Sequence, residues 1–355
     1  MKQLRPFART RKYLFEGWGN RSFLLLALGF LLLLCLAVSL TLGKYPISLR
    51  ELWFVVQQGV FPTGGTHDDG YDLVRNVLFD IRAPRLIAAA LIGAALSISG
   101  AAFQSMFVNP LVAPGILGVL PGASFGAALG LLIGNSWFEV QLLSFTGGIL
   151  AVGLAMSLAK MYNGDKLMML ILGGIISGSL FTSLLSIVKY TADPTDQLPA
   201  IVYWLMGGLS LVDTETVAGT ALPILIGIGC ILGMSRYLNA LSMGDEEAKT
   251  LGINVKVIRL CLIVFATVIS ALTVAMGGLI GWVGLVIPHI GRMLVGPNNC
   301  ILLPTTALVG AIYLVLVDDI SRLLLDVEIP LGIITSLVGI PFFSIIMKNA
   351  KQGWK

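Results

Sequence analysis

Apolar residues run through this chain in blocks of roughly 20, enough to cross a hydrocarbon core as helices, and charged residues fall in the gaps between them. Ten such blocks are read, at 22–42, 83–106, 115–134, 138–158, 167–188, 217–235, 257–276, 278–295, 301–320 and 330–347. The pattern predicts an all-α, polytopic membrane protein of about ten transmembrane helices. A further apolar piece, PAIVYWLMGGLSLV (199–212), is too short and too broken by glycine to span. It is expected to be a half-helix packed at the outer surface. The organisation follows: a basic N-terminal segment at 1–21, a transmembrane domain at 22–348 and a short tail at 349–355.

Composition supports this and removes alternatives. Of 355 residues, 56% are hydrophobic and 12% charged, with a mean hydropathy of +0.91. A soluble domain carries about 25% charged residues, so a soluble enzyme is excluded. The 41 glycines suit helices that approach one another closely in lipid. Charge then sets orientation. Lys2, Arg5, Arg9, Arg11, Lys12 and Arg21 stand against Glu16 alone in residues 1–21, which places the N-terminus in the cytoplasm. Ten spans return the C-terminus to that side. On this topology 16 of the 23 basic residues but 5 of the 19 acids lie inside, and 7 and 14 lie outside. The first span is expected to stay uncleaved, because the apolar core of a signal peptide runs about 7–15 residues.

The chemistry of the chain is mostly exclusion. Cys35, Cys230, Cys261 and Cys300 lack metal-type spacing and read as small buried apolar residues. His67 and His289 are the two histidines, and His289, beside Pro288, reads as packed rather than as a metal ligand. No phosphate loop of the form G-x-x-x-x-G-K-[ST] occurs, so no nucleotide, cofactor or metal is expected on this chain. Span centres lack the Asp, Glu and His chains of a proton relay, which disfavours ion coupling. Energy for transport is expected from elsewhere.

Against that background, LSMGDEEAKTLG (241–252) is unusual. Gly244 permits a break, Asp245 can cap, Glu246 and Glu247 suit the positive end of a helix, Lys249 suits the negative end, and Gly252 can terminate it. The stretch predicts a short charged helix in a cytoplasmic loop; a solvated linker is the plainer alternative.

Five segments in order resemble the permease subunits of the iron-siderophore, haem and vitamin B12 family of ATP-binding-cassette importers, the type II importers. They are IRAPRLIAAALIGAALSISGAAFQSMFVNPLVAPGILGV (81–119), YWLMGGLS (203–210), GDEEAKTLGI (244–253), GGLIGWVGLVIPHIGRMLVG (277–296) and the block from Leu302 to Phe343. The sequence departs from the family at GPNNCILLP (296–304), where relatives commonly carry an Asp-His-Arg run.

The resemblance implies roles. Gly244, Asp245, Glu246, Glu247, Ala248, Lys249, Thr250, Leu251 and Gly252 would form the coupling helix that seats in a separate ATPase. Arg82, Arg85 and Arg322 match positions that meet acids on a substrate-binding protein; local pairing of Arg322 with Asp318 and Asp326 is the plainer alternative. Asn109 and Leu111, in the turn VNPLVAP, match a cytoplasmic gate, faced by Gly164 and Asp165 in NGDK. Implied partners are two ATPase subunits carrying ATP and Mg, a second permease copy or paralogue, a periplasmic or lipid-anchored binding protein, and membrane lipid, with no nucleic acid. The expected function is import of an iron chelate, ferric siderophore first, across the cytoplasmic (inner) membrane, with haem, corrinoid or molybdate as alternatives. An ion-coupled secondary transporter, or a membrane receptor for a binding protein, are the readings from other classes. No covalent chemistry is expected of this chain.

Overall fold

The structure is a computed structural model and describes residues 18–60, 69–134, 136–161 and 166–350. Every regular element among the described residues is helical. The chain begins with α1 (Trp18–Thr41), α2 (Leu49–Val60) and α3 (Asp69–Asn76), which runs through a π-helical turn (Val77–Arg82) into α4 (Ala83–Met106). A 3₁₀ turn (Pro114–Leu117) leads to α5 (Val119–Ile133), α6 (Trp137–Met161), α7 (Lys166–Thr191) and the short α8 (Gln197–Leu205). Then come α9 (Thr214–Gly233), α10 (Ser235–Leu241), α11 (Asp245–Thr250), α12 (Val255–Gly277), α13 (Val283–Val295), α14 (Asn299–Leu323) and α15 (Leu331–Ala350).

Seven of these are long and apolar enough to cross a membrane, and α5, α13 and α15 are shorter apolar helices. Together they coincide with the ten predicted spans. One boundary differs. The block 278–295 becomes helical only at Val283, because Gly278 and Trp282 both take positive φ, at 69° and 68°. At 1.5 Å per residue, α13 is therefore only about 20 Å long.

Polar side chains set the helix starts. Ser48 and Glu51 form a reciprocal capping box before α2: Glu51 Oε2 accepts from the Ser48 N–H at 2.8 Å, and Ser48 Oγ accepts from the Glu51 N–H at 3.2 Å. The Ser48 hydroxyl, donating to Glu51 Oε2 at 2.6 Å, and then the Ser48 N–H hold the Glu51 carboxyl below its usual pKa. Asp213 caps α9 by accepting from the Thr216 N–H at 2.8 Å, and Asn254 caps α12.

The core is built around α4, which is buried along most of its length and packs on α14, α12, α13 and α9. Close approach requires glycine at the α4–α14 crossing. A Cβ on Gly93 would lie 2.7 Å from the Gly310 carbonyl carbon, inside any ordinary contact. By contrast α1 is mostly exposed and touches the bundle through α14. The four cysteines are free and half-buried rather than fully buried. The half-helix α8 is present at the end of the bundle that carries Arg85. Its C-terminus is fastened there by main-chain bonds from Leu331 N to Gly207 O (2.9 Å) and from Gly208 N to Gly277 O (2.9 Å).

Candidate functional site

The stretch 244–252 folds as a projecting knob. Gly244 takes φ 123°, a conformation that disfavours side chains, and a Cβ there would also strike the Glu247 carboxylate. The six-residue α11 follows, with Ala248 fully buried beneath it. Asp245 does not cap it, because its carboxylate is engaged elsewhere. Arg259 of α12 donates to it twice, at 2.7 and 3.2 Å. That bidentate bond braces the knob against the bundle. Gly252, at φ 76°, ends the turn by donating to the Lys249 carbonyl. The outward face carries Glu246 and Lys249, paired at 2.6 Å, with the pairing raising the Lys249 pKa. Met243 and Leu251 flank the helix at 67% and 64% exposure. The knob thus presents a rigid surface of one paired charge couple and two exposed apolar side chains.

The turn VNPLVAP lies at the same end of the bundle. α4 stops at Met106, Val108 turns with φ 49°, and the Asn109 side-chain oxygen accepts from the Leu111 N–H at 2.9 Å. Asn109 and Leu111 are both exposed. Gly164 and Asp165 lie outside the described residues. One turn back, Gln104 bonds to the Leu285 carbonyl at 3.3 Å and accepts from Arg292 of α13.

At the opposite end, the arginines are buried where exposure was expected. As docking groups they should be exposed cations, but Arg82, Arg85 and Arg322 are 5%, 6% and 7% exposed. The reason is internal compensation. Asp318, fully buried, accepts from Arg85 Nε at 2.9 Å and is ion-paired with Arg322 Nε at 3.0 Å. Arg85 also reaches Glu328 at 2.9 Å, and Arg322 pairs with Asp319, which accepts from Ser39. Arg82 donates to the Leu40 carbonyl at 2.6 Å and to the Tyr45 carbonyl. Arg85 and Arg322 thus share three carboxylates, and with Arg82 on its main-chain acceptors they tie α1, α4, α14 and the turn before α15. Asp326, expected beside Arg322, instead offers its main-chain carbonyl to Lys44. Asp319, Glu328 and Ser39 had no sequence signal beyond being polar in or near apolar blocks. An acid on a partner reaches these arginines only by displacing an internal one, and Glu328, a third exposed, is the most accessible.

A model of the FecCD transport family matches residues 31–349. The chain belongs to this family. The molybdate import system permease protein MolB of Haemophilus influenzae is 37% identical over 330 residues, 93% of this chain and 96% of its own. The hemin transport system permease protein HmuU of Yersinia pestis is 34% identical over 342 residues, covering 92% and 97%. A solved inward-facing structure of an ABC transporter assigned to the metal-chelate type superposes with a TM-score of 0.83 at 36% identity, covering 92% of this chain and 99% of that one. The resemblance read from five segments is therefore borne out. This chain is a multi-pass permease subunit of an ATP-binding-cassette importer.

Proposed function

We propose that this permease works as one of two such subunits in the cytoplasmic membrane, with the Gly244 end inside, both termini cytoplasmic, and the Arg85 end facing a substrate-binding protein. Two separate ATPase subunits bind ATP and Mg, and Gly244–Gly252 seats in a groove on one of them. The observation that carries this reading is the braced knob: Asp245 locked to Arg259, with Met243, Glu246, Lys249 and Leu251 turned outward. A knob fixed by a buried-side ion pair passes on a push; a solvated linker absorbs it. The inner mouth is closed by the Asn109–Leu111 turn.

The second permease copy packs along α7, whose outward face alternates Ser179, Thr182, Ser183 and Ser186 with Ile175, Leu180 and Ile187. Each of these hydroxyls bonds the carbonyl one turn back and leaves an acceptor lone pair outward. A ferric chelate of the siderophore type is the substrate proposed, on the likeness to iron-chelatin and hemin permeases and to a metal-chelate type transporter. Molybdate is the second reading, favoured by the 37% identity to MolB.

Charge reversal of the knob, with Glu246→Arg and Glu247→Arg together, tests the coupling. Loss of ATPase association and uptake with normal membrane insertion is expected, and a variant that assembles and transports normally rejects the assignment. Titration of the cognate binding protein with ferric hydroxamate and with molybdate decides the substrate.

A further inference from the structure

The turn Gly296–Cys300, where the sequence leaves the family pattern, is bonded on every side. Asn298 caps α14, its Oδ1 accepting from the Cys300 N–H at 3.0 Å. Asn239, on α10, uses its whole carboxamide there. Its Oδ1 accepts from the Asn299 N–H at 2.8 Å and from Asn299 Nδ2 at 3.0 Å, and its Nδ2 donates to Asn298 Oδ1 at 2.9 Å. Both ends of this arrangement are pinned by main-chain N–H groups, which can only donate, so each amide has a single orientation. Asn299 is 1% exposed, and its Oδ1 accepts from Ser105 Oγ of α4 at 2.7 Å. Ser242, just past α10, reaches the Ser105 carbonyl at 3.4 Å.

The network is continuous in space. α10 leads through Met243 and Gly244 directly into the knob. Ser105 is in the last turn of α4, and the Asn109 N–H bonds back to the Gln104 carbonyl. The asparagines therefore lie between the knob and the Asn109–Leu111 turn. Asn299 is buried, Asn239 half-buried and Asn298 exposed, and their mutual bonds hold only while α10, α14 and α4 keep one register.

We propose that Asn239 is a positioning residue that transmits the ATPase-driven displacement of α11 to the end of α4, so that the inner mouth follows the nucleotide state. This rests on the coupling and gate assignments proposed above. The test uses the full chain assembled with its ATPase, its four native cysteines replaced, and a single Leu111→Cys labelled by a water-soluble maleimide. Labelling is compared in the nucleotide-free and ATP–vanadate-trapped states. With Asn239 intact the rate is expected to differ about tenfold between the states, the scale set by two or three interhelical hydrogen bonds. With Asn239→Leu the difference falls to within about twofold, while assembly and basal ATP hydrolysis stay within about twofold of the parent. Asn239→Asp keeps both bonds from Asn299 but sets oxygen against Asn298 Oδ1, and Ser105→Ala removes one link; both give intermediate responses. If Asn239→Leu does not assemble, these two variants decide between the outcomes. A merely structural asparagine would lower yield and hydrolysis together and leave the nucleotide response unchanged, and that result overturns the proposal. A Leu111→Cys that ignores nucleotide with Asn239 intact rejects the underlying coupling and gate reading, and the joint with it.

Discussion

Replacing Asp318 by Asn asks whether the arginine cluster is an internal clamp. Asp318 is fully buried and shared by Arg85 and Arg322, so neutralising it takes the common ionic partner from two buried guanidinium groups. Removing one member of a buried ion pair costs about 3–5 kcal/mol. Each arginine here keeps a second carboxylate, Glu328 or Asp319, which places the expected loss at the lower end, about 3 kcal/mol. That is roughly a hundredfold in the folded-to-unfolded ratio. Unfolding in mixed detergent–SDS micelles, followed by tryptophan fluorescence, measures it. Glu328→Gln serves as the control: its side chain is 32% exposed, and the expected loss is under about 1 kcal/mol. The pair Arg85→Met with Asp318→Leu removes one charge of each sign and is expected to recover to within about 1 kcal/mol of the parent. An Asp318→Asn variant with the parent's unfolding midpoint would refute the clamp.

Cysteine placed at Thr195 is expected to react with an impermeant reagent from outside in whole cells, and cysteine at Thr250 only after permeabilisation; the reverse pattern rejects the orientation. Gly93→Ala is expected to cost about 1–3 kcal/mol on the same unfolding assay, because its methyl group meets the Gly310 carbonyl and forces α4 from α14. Asp213→Ala is expected to cost about 1 kcal/mol at pH 7 through loss of the α9 cap. The Thr216 N–H holds the Asp213 carboxyl below its ordinary 3.8, so the cap's stabilisation is complete above that value and fades as pH falls through the lower folded pKa. The deficit of Asp213→Ala relative to the parent should accordingly shrink below about pH 4, and Asp213→Asn, which also lacks the titrating group, should show the same change with pH from a smaller starting deficit.

The spans were legible because lipid demands long apolar blocks, and α1, α4, α6, α7, α9, α12 and α14 need nothing else to be found. The amphipathic α2 and α3 are hidden in the stretch 43–82, although SLRE at 48–51 is a capping box that marks the first of them. The knob's limits were legible from Gly244 and Gly252. Its brace was not, since nothing in the sequence links Asp245 to Arg259 across the turn. The burial of the arginines was illegible for the same reason. Exposure is a property of what packs around a side chain, and Arg85 finds its partners Asp318 and Glu328 more than 200 residues along the chain.

The two ends of the molecule share the same pair of helices. Arg85 joins α4 to Asp318 of α14 at one end, Ser105 joins α4 to Asn299 of α14 at the other, and Gly93 meets Gly310 between them. Three fixed points along two antiparallel helices leave little freedom for one to slide past the other. Motion coupled to ATP must therefore carry α4 and α14 as one body or release an end joint. The outer joint is ionic and fully buried at Asp318, so releasing it is costly. The inner joint is built of neutral amides beside an exposed turn, and individual hydrogen bonds between membrane helices average well under about 2 kcal/mol. Between the two, a moderate displacement of the knob can carry the asparagine joint, and the end of α4 bonded to it, while the outer joint holds. On the coupling proposed above, that difference in strength favours a moving part at the Gly244 end and a fixed part at the Arg85 end.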